Sequence, residues 1–159
     1  MKILGIDQSY NSTGIVILNN GILESFKVIK VDKKIDNIYD KALTIALEIS
    51  IIIEENNIND IHIEGLGFGS VGSATRDLAG LQFSIINICK LKNPNLKFLI
   101  LSPNTVKKFA TGSGKASKTE MIDALPIDIK QLFLDKNYKK STGLADLTDA
   151  YFIGLYSNT

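Results

Sequence analysis

The sequence predicts an α/β fold: a mixed five-stranded sheet, antiparallel through its first three strands, flanked by helices on both faces. Three observations predict it. Three short apolar runs open the chain in direct succession, and two of them are joined by Asn19-Asn20-Gly21, a hairpin signal because Asn and Gly accept the positive φ of tight primed turns. Helical and strand-like periods then alternate twice, the order that builds parallel strands. Helical segments alone follow.

Ile3 to Asp7 is an apolar run that ends in a carboxylate, as expected of a buried strand delivering one acid to the edge of a core. A polar turn, Gln8 to Ser12, leads into a second strand from Thr13 to Leu18, and Ile22 to Ile29 makes the third. From about Ile35 to Asn56, apolar residues at Ile38, Ala42, Ile45, Ile49, Ile52 and Ile53 follow the period of a long amphipathic helix. Asp60 to Glu64 is a short strand, and a glycine-rich loop from Gly65 to about Gly72 precedes a helix from Ser73 to Leu91. Asn93-Pro94-Asn95 breaks the chain before a fifth strand, Leu96 to Leu101. Ser102-Pro103 reads as an N-cap with proline at the first helical position, opening a short helix through Phe109. Ser117-Lys118-Thr119-Glu120 has the capping-box form ahead of Met121, Ile122 and Leu125. The stretch from Pro126 to Ser141 carries no clear period. Thr142 to Tyr156 is expected to be an amphipathic helix.

With 159 residues, the chain is long enough for one domain, 1–159, with a substantial core. An ordinary mixture of 45% hydrophobic and 22% charged residues excludes disordered and fibrous classes. No apolar run reaches about 18 residues and Met1-Lys2 leads straight into a strand, so neither membrane insertion nor secretion is expected and the location expected is cytoplasmic. The lone Cys89 lies in an apolar stretch, as a buried spectator would. With only one histidine, His62, zinc and haem ligand sets cannot be assembled, and any metal must be held by oxygen, which favours magnesium or manganese. His62 shares a strand face with Glu64 and is read as a structural residue.

Four acids are the candidate metal ligands: Asp7 and Glu64 at strand ends, and Asp146 and Asp149 three apart on the last helix, with roughly 5–6 Å between β-carbons. Carboxylates stacked this way repel, and a hard cation between them relieves that. Each acid alone has a plain structural reading, such as a turn aspartate or an acid favoured by a helix dipole. Net charge is +1, but from Ser102 through Thr119 four lysines, Lys107, Lys108, Lys115 and Lys118, meet no acid, which makes a local positive field.

Taken together, Gly5-Ile6-Asp7-Gln8-Ser9-Tyr10-Asn11-Ser12-Thr13-Gly14, Ile63-Glu64, Val106-Lys107 through Gly114-Lys115-Ala116-Ser117-Lys118, and Ala145-Asp146-Leu147-Thr148-Asp149-Ala150 resemble the RuvC-type Holliday junction resolvases of the RNase H-like and retroviral-integrase superfamily. The isoleucine, asparagine and lysine bias looks most like members carried by phages of low-GC bacteria, acting in the cytoplasm of the bacterium or infected host. The resemblance implies a structure-selective endonuclease working as a homodimer on branched DNA: four-way junctions, with forks and flaps as further substrates. It implies that Asp7, Glu64, Asp146 and Asp149 bind two Mg²⁺ per site, or Mn²⁺, a pair of ions that suits in-line cutting of a phosphodiester. It also implies that Lys107, Lys115 and Lys118 hold the DNA backbone, with Lys118 at the scissile group as a fifth catalytic residue beside the acids. Lys108 and Arg76 join the DNA-binding set, and Phe68 takes the place of the aromatic wedge. Glycines at 65, 67, 69 and 72 and the one-place displacement of Phe68 depart from the bacterial pattern, as does Gln8-Ser9 in place of Pro-Gly. The latter change is expected to be harmless to metal binding, and Gly112 and Gly114 are expected to let the DNA backbone approach the start of the helix at Lys118.

Other readings fit less of the chain. Gly67 to Gly72 formally matches the dinucleotide fingerprint, yet the following strand ends in Leu101-Ser102 rather than in an acid for a ribose. The opening hairpin resembles that of actin-like kinases and ATPases, which need two such domains. A catalytically silent branched-DNA binder of the same fold is the remaining alternative.

Overall fold

A computed structural model describes residues 1–67 and 72–157. Its strands are β1 (Lys2–Asp7), β2 (Thr13–Asn19), β3 (Ile22–Ile29), β4 (Asp60–Glu64) and β5 (Lys97–Leu101). They form one sheet in the order β3-β2-β1-β4-β5. β1 and β2, and β2 and β3, pair antiparallel, whereas β4 lies parallel to both β1 and β5. The fold class expected from the sequence is thus the one observed, and Asn20 and Gly21 take positive φ in the hairpin turn.

Alternation along the strands sorts the core into two layers. Leu4, Ile6, Ile15, Ile17, Ile61 and Ile63 point to the face covered by α1 (Ile38–Glu55) and α2 (Ser73–Lys92), where they meet Ile45, Ile49, Leu81 and Ile85. Val16, Leu18 and Leu101 point the other way, toward α3 (Pro103–Thr111), α4 (Lys118–Asp123), α5 (Ile127–Asp135) and α6 (Leu144–Leu155). No helix among the described residues is long and apolar enough to cross a membrane.

The differences from expectation have local causes. α1 begins at Ile38 because Asn37 caps it, its Oδ1 accepting from the backbone N–H of Tyr39 at 2.7 Å. α3 runs on to Thr111, where Gly112 ends it in the left-handed region. The stretch without a clear period holds α5, whose Ile127 is 87% exposed while Phe133 is fully buried edge-on to Phe26, so apolar residues on both sides blur its pattern. α6 starts at Leu144 rather than Thr142 and is not amphipathic. Leu144, Leu147, Thr148, Ala150, Tyr151, Phe152, Ile153 and Gly154 are all buried. Helices buried nearly all round belong to interiors.

Candidate active site

α6 is buried so deeply because the sheet beneath it lacks side chains where the helix crosses. A β-carbon on Gly5 would stand 2.1 Å from the carbonyl oxygen of Ala150 and 2.7 Å from the backbone nitrogen of Gly154. One on Gly14 would stand 2.2 Å from the carbonyl oxygen of Asp146. His62 adds a polar anchor: its Nδ1 donates to the carbonyl of Ile153 at 3.0 Å, and burial lowers its pKa. This is the structural role expected of it.

That close docking assembles the acids. Asp7 is the last residue of β1, and Glu64 the last of the neighbouring parallel β4. Both belong to the strand face that α6 covers, because their neighbours Ile6 and Ile63 point into the opposite core layer. The ladder partner of Asp7 is Gly14, the residue against which Asp146 rests. Acids drawn from positions 7, 64, 146 and 149 therefore meet at one edge of the sheet.

Their acidities report the crowding. Burial, then the charges of Glu64, Asp149 and Asp146, hold the Asp7 carboxyl well above the usual carboxylate range. Burial, followed by the charge of Asp149, pushes Glu64 up to about 7. Asp149 is raised to about 6, chiefly by burial. Lys118 opposes all three shifts, and Lys107 opposes those on Glu64 and Asp149. Among the described residues, no three acid, histidine or cysteine side chains stand close enough to hold one metal ion, so the acids form a neighbourhood rather than a closed cage.

Raised carboxyl pKa values make the folded chain bind more protons than the unfolded chain between about pH 4.5 and 7. Stability of the ion-free protein is present in full below that window and falls as pH rises through it. Melting in chelator from about pH 4.5 to 8 should show this fall for wild type and a shallower one for Glu64→Gln. Parallel curves would remove Glu64 from the crowded cluster.

Three residues that sequence reasoning passed over hold the acids in place. Ser12 donates its hydroxyl to Asp146 Oδ2, tying the turn after β1 to α6. The turn itself is closed by Thr13, whose Oγ1 donates to the Ser9 carbonyl at 2.7 Å and accepts from its N–H. Gln8 Nε2 and Gln82 Nε2 both donate to the carbonyl of Glu64, at 2.8 and 3.0 Å, and so pin the end of β4. The signal for Gln82 was in the sequence: an amide in register with Leu78, Ile85 and Cys89 on the buried side of a helix. Gln8, whose replacement of proline was expected to be neutral, has this positioning role. Cys89 is buried, with its thiol pushed up to about 11, in keeping with a spectator.

The basic residues divide. Lys107, half-buried on α3, and Lys118, exposed at the first position of α4, face the acids closely enough to alter their acidity. Lys108 and Lys115 are exposed on the surface nearby, and Arg76 lies on the first turn of α2 beside a groove lined by Tyr10 and Tyr39. Phe68 lies outside the described residues. The helix that begins at Lys118 has the capping box expected of its sequence. Ser117 Oγ accepts from the N–H of Glu120, and the Glu120 carboxylate accepts from the N–H of Ser117 at 2.7 Å. Gly112 serves as the left-handed cap of α3, and Gly114 packs against Asn104.

Residues 3–153 match the family described as crossover junction endodeoxyribonuclease RuvC. The chain belongs to the RuvC family. It is by that membership an endodeoxyribonuclease, and nucleases of this family depend on divalent metal. The fold agrees. Thermus thermophilus RuvC superimposes with a TM-score of 0.69 at 16% identity, over 98% of this chain and 92% of that one. The same protein in complex with a Holliday junction substrate gives 0.71 at 16% identity, over 98% and 91%. The yeast mitochondrial Holliday junction resolvase Ydc2 gives 0.69 at 16% identity, over 96% and 75%. Among curated proteins, no sequence matches this chain. The chemistry of the acids suits such a metal: the pKa values of Asp7, Glu64 and Asp149 are raised by burial and by neighbouring negative charge, and carboxylates crowded in this way are hard oxygen donors whose repulsion a cation would relieve.

Proposed function

We propose that this RuvC-family nuclease resolves Holliday junctions and related branched DNA by metal-dependent hydrolysis, as a homodimer of one nuclease domain per chain. The observation that supports this best is the meeting of Asp7, Glu64, Asp146 and Asp149 at one sheet edge, with Lys107 and Lys118 set against them. Asp7, Glu64, Asp146 and Asp149 would hold two Mg²⁺, or Mn²⁺. Such ions supply an activated water on one side of a phosphodiester and charge stabilisation on the departing oxygen on the other. Lys118, exposed at the mouth of the acid cluster, neutralises a scissile phosphate, and Lys107 limits the repulsion between that phosphate and the acids beneath. Ser12, Gln8 and Gln82 keep the ligands in register, which matters because small misplacements of reacting groups cost large factors in rate.

Symmetric resolution needs two cuts, and a twofold pair places two identical sites for them. An exposed apolar stripe on α1, Tyr39, Leu43, Leu47 and Ile51 at four-residue spacing, offers such a pair a face. One experiment tests the whole reading: labelled four-way, three-way and linear duplex DNA incubated with and without Mg²⁺ or Mn²⁺, with sedimentation of the same mixtures. Ion-dependent cutting of branched DNA by a dimer is expected. Binding without cutting under every ion would favour the silent binder, and a monomer both free and on the junction would refute the paired arrangement.

A further inference from the structure

The chain between α5 and α6 carries a second group of lysines, outside the four acids and the lysines set against them. Lys136, Lys139 and Lys140 are exposed, no acid occurs from Lys136 to Ala145, and none of the three forms an ion pair among the described residues. Lys130, by contrast, is paired with Asp123 at 3.0 Å.

The segment is a built turn. Thr142 Oγ1 accepts from the N–H of Lys139 at 2.7 Å and donates to the carbonyl of Asn137 at 3.1 Å, while the N–H groups of Thr142 and Leu144 both donate to the carbonyl of Lys139. Tyr138 packs edge-on against Phe26 of β3, fixing the turn to the sheet. At its end Gly143, with φ +117°, lies against Val28, where a β-carbon would stand 2.7 Å from Cγ2. The backbone that presents the lysines is therefore held without help from their side chains.

Its position ties it to the acids. Lys140 Nζ donates to Thr119 Oγ1 at 3.5 Å, and Thr119 follows Lys118, the lysine whose charge reaches Asp7, Glu64 and Asp149. The same turn leads directly into α6, the helix that bears Asp146 and Asp149. Lysines without acids beside a phosphate-cleaving site gain most from a polyanion that already passes through that site.

We propose that the Lys139–Lys140 turn is a second phosphate-binding surface, taking the DNA backbone on the far side of Lys118 from the acids. This rests on the nuclease reading. Contacts of this type position DNA without reading its sequence, so they add affinity for junction and linear duplex alike.

The test is a salt titration of labelled four-way junction and linear duplex binding in the absence of divalent ions, read by anisotropy, for wild type, Lys139→Gln/Lys140→Gln, the matching double arginine variant, and Lys130→Gln. The glutamine pair should reduce the slope of log K against log salt by about 0.9 for each phosphate no longer neutralised, and weaken binding to both DNAs. The arginine pair should keep the wild-type slope, and Lys130→Gln should leave it unchanged. An unchanged slope in the glutamine pair, or an equal fall in Lys130→Gln, overturns the proposal while leaving the nuclease reading intact. Failure of wild type to bind or cut branched DNA removes both.

Discussion

Glu64→Gln, Asp149→Asn, Asp7→Asn and Asp146→Asn are each expected to lower ion-dependent strand cutting by more than about 10³-fold, equivalent to about 4 kcal/mol of transition-state stabilisation. Junction affinity should stay within a few-fold of wild type, since phosphate contacts from lysines carry most of it. The crowding supplies a further sign. Glu64 and Asp149 are held at about 7 and 6 by burial and nearby charge, so their neutral amides remove repulsion from the ion-free fold. Loss of activity should therefore come with an unchanged or higher melting midpoint in chelator, an outcome that misfolding cannot produce. Single-turnover cutting and thermal melts of the same preparations give both readouts. Any of the four variants that cuts like wild type loses its place as a ligand.

Gly5→Ala should be the most damaging single methyl group in the protein. Its β-carbon would lie 2.1 Å from the Ala150 carbonyl oxygen and 2.9 Å from the Gly154 α-carbon, contacts with backbone that no rotamer change relieves. Forcing matter into a packed interior usually costs about 1–3 kcal/mol, and here about 3 kcal/mol or more is expected, together with loss of cutting as α6 is lifted from the sheet. Gly80→Ala is the control. That position is exposed on α2, its added β-carbon meets nothing nearer than Tyr10 Oη at 3.8 Å, and alanine in a helix should stabilise by about 0.5–1 kcal/mol. Urea unfolding of the two variants decides. A Gly5→Ala protein within about 0.5 kcal/mol of wild type would mean that close docking does not position the last helix.

Much of this was legible without coordinates, for reasons that differ element by element. Ile3 to Asp7, Thr13 to Leu18 and Ile61 to Glu64 announce strands because they are short and rich in branched apolar residues, the first and last of them ending in an acid, and Asn20-Gly21 marks the hairpin because few other pairs accept its φ values. α5 was not legible, since Ile127, Leu132 and Leu134 face solvent and erase the period. The burial of α6 was hidden for another reason: its two acids mimic a polar face, while the space it enters is created by Gly5 and Gly14 far away in the chain. The start of α4 was readable as a capping box, and both of its reciprocal bonds between Ser117 and Glu120 are present.

By itself the sequence determined the order of the five strands and of the helices other than α5, and it singled out four acids and an oxygen-only chemistry as candidates for a metal, because each depends on neighbours in the chain and on which residue types are present at all. Tertiary structure alone decided that these acids share one sheet edge, that Lys107 and Lys118 rather than Lys108 and Lys115 act on them, and that Gln8, Ser12 and Gln82 hold them there. Such relations arise from packing a helix against missing side chains and from burial that raises carboxyl pKa values, and neither quantity exists until distant parts of the chain touch.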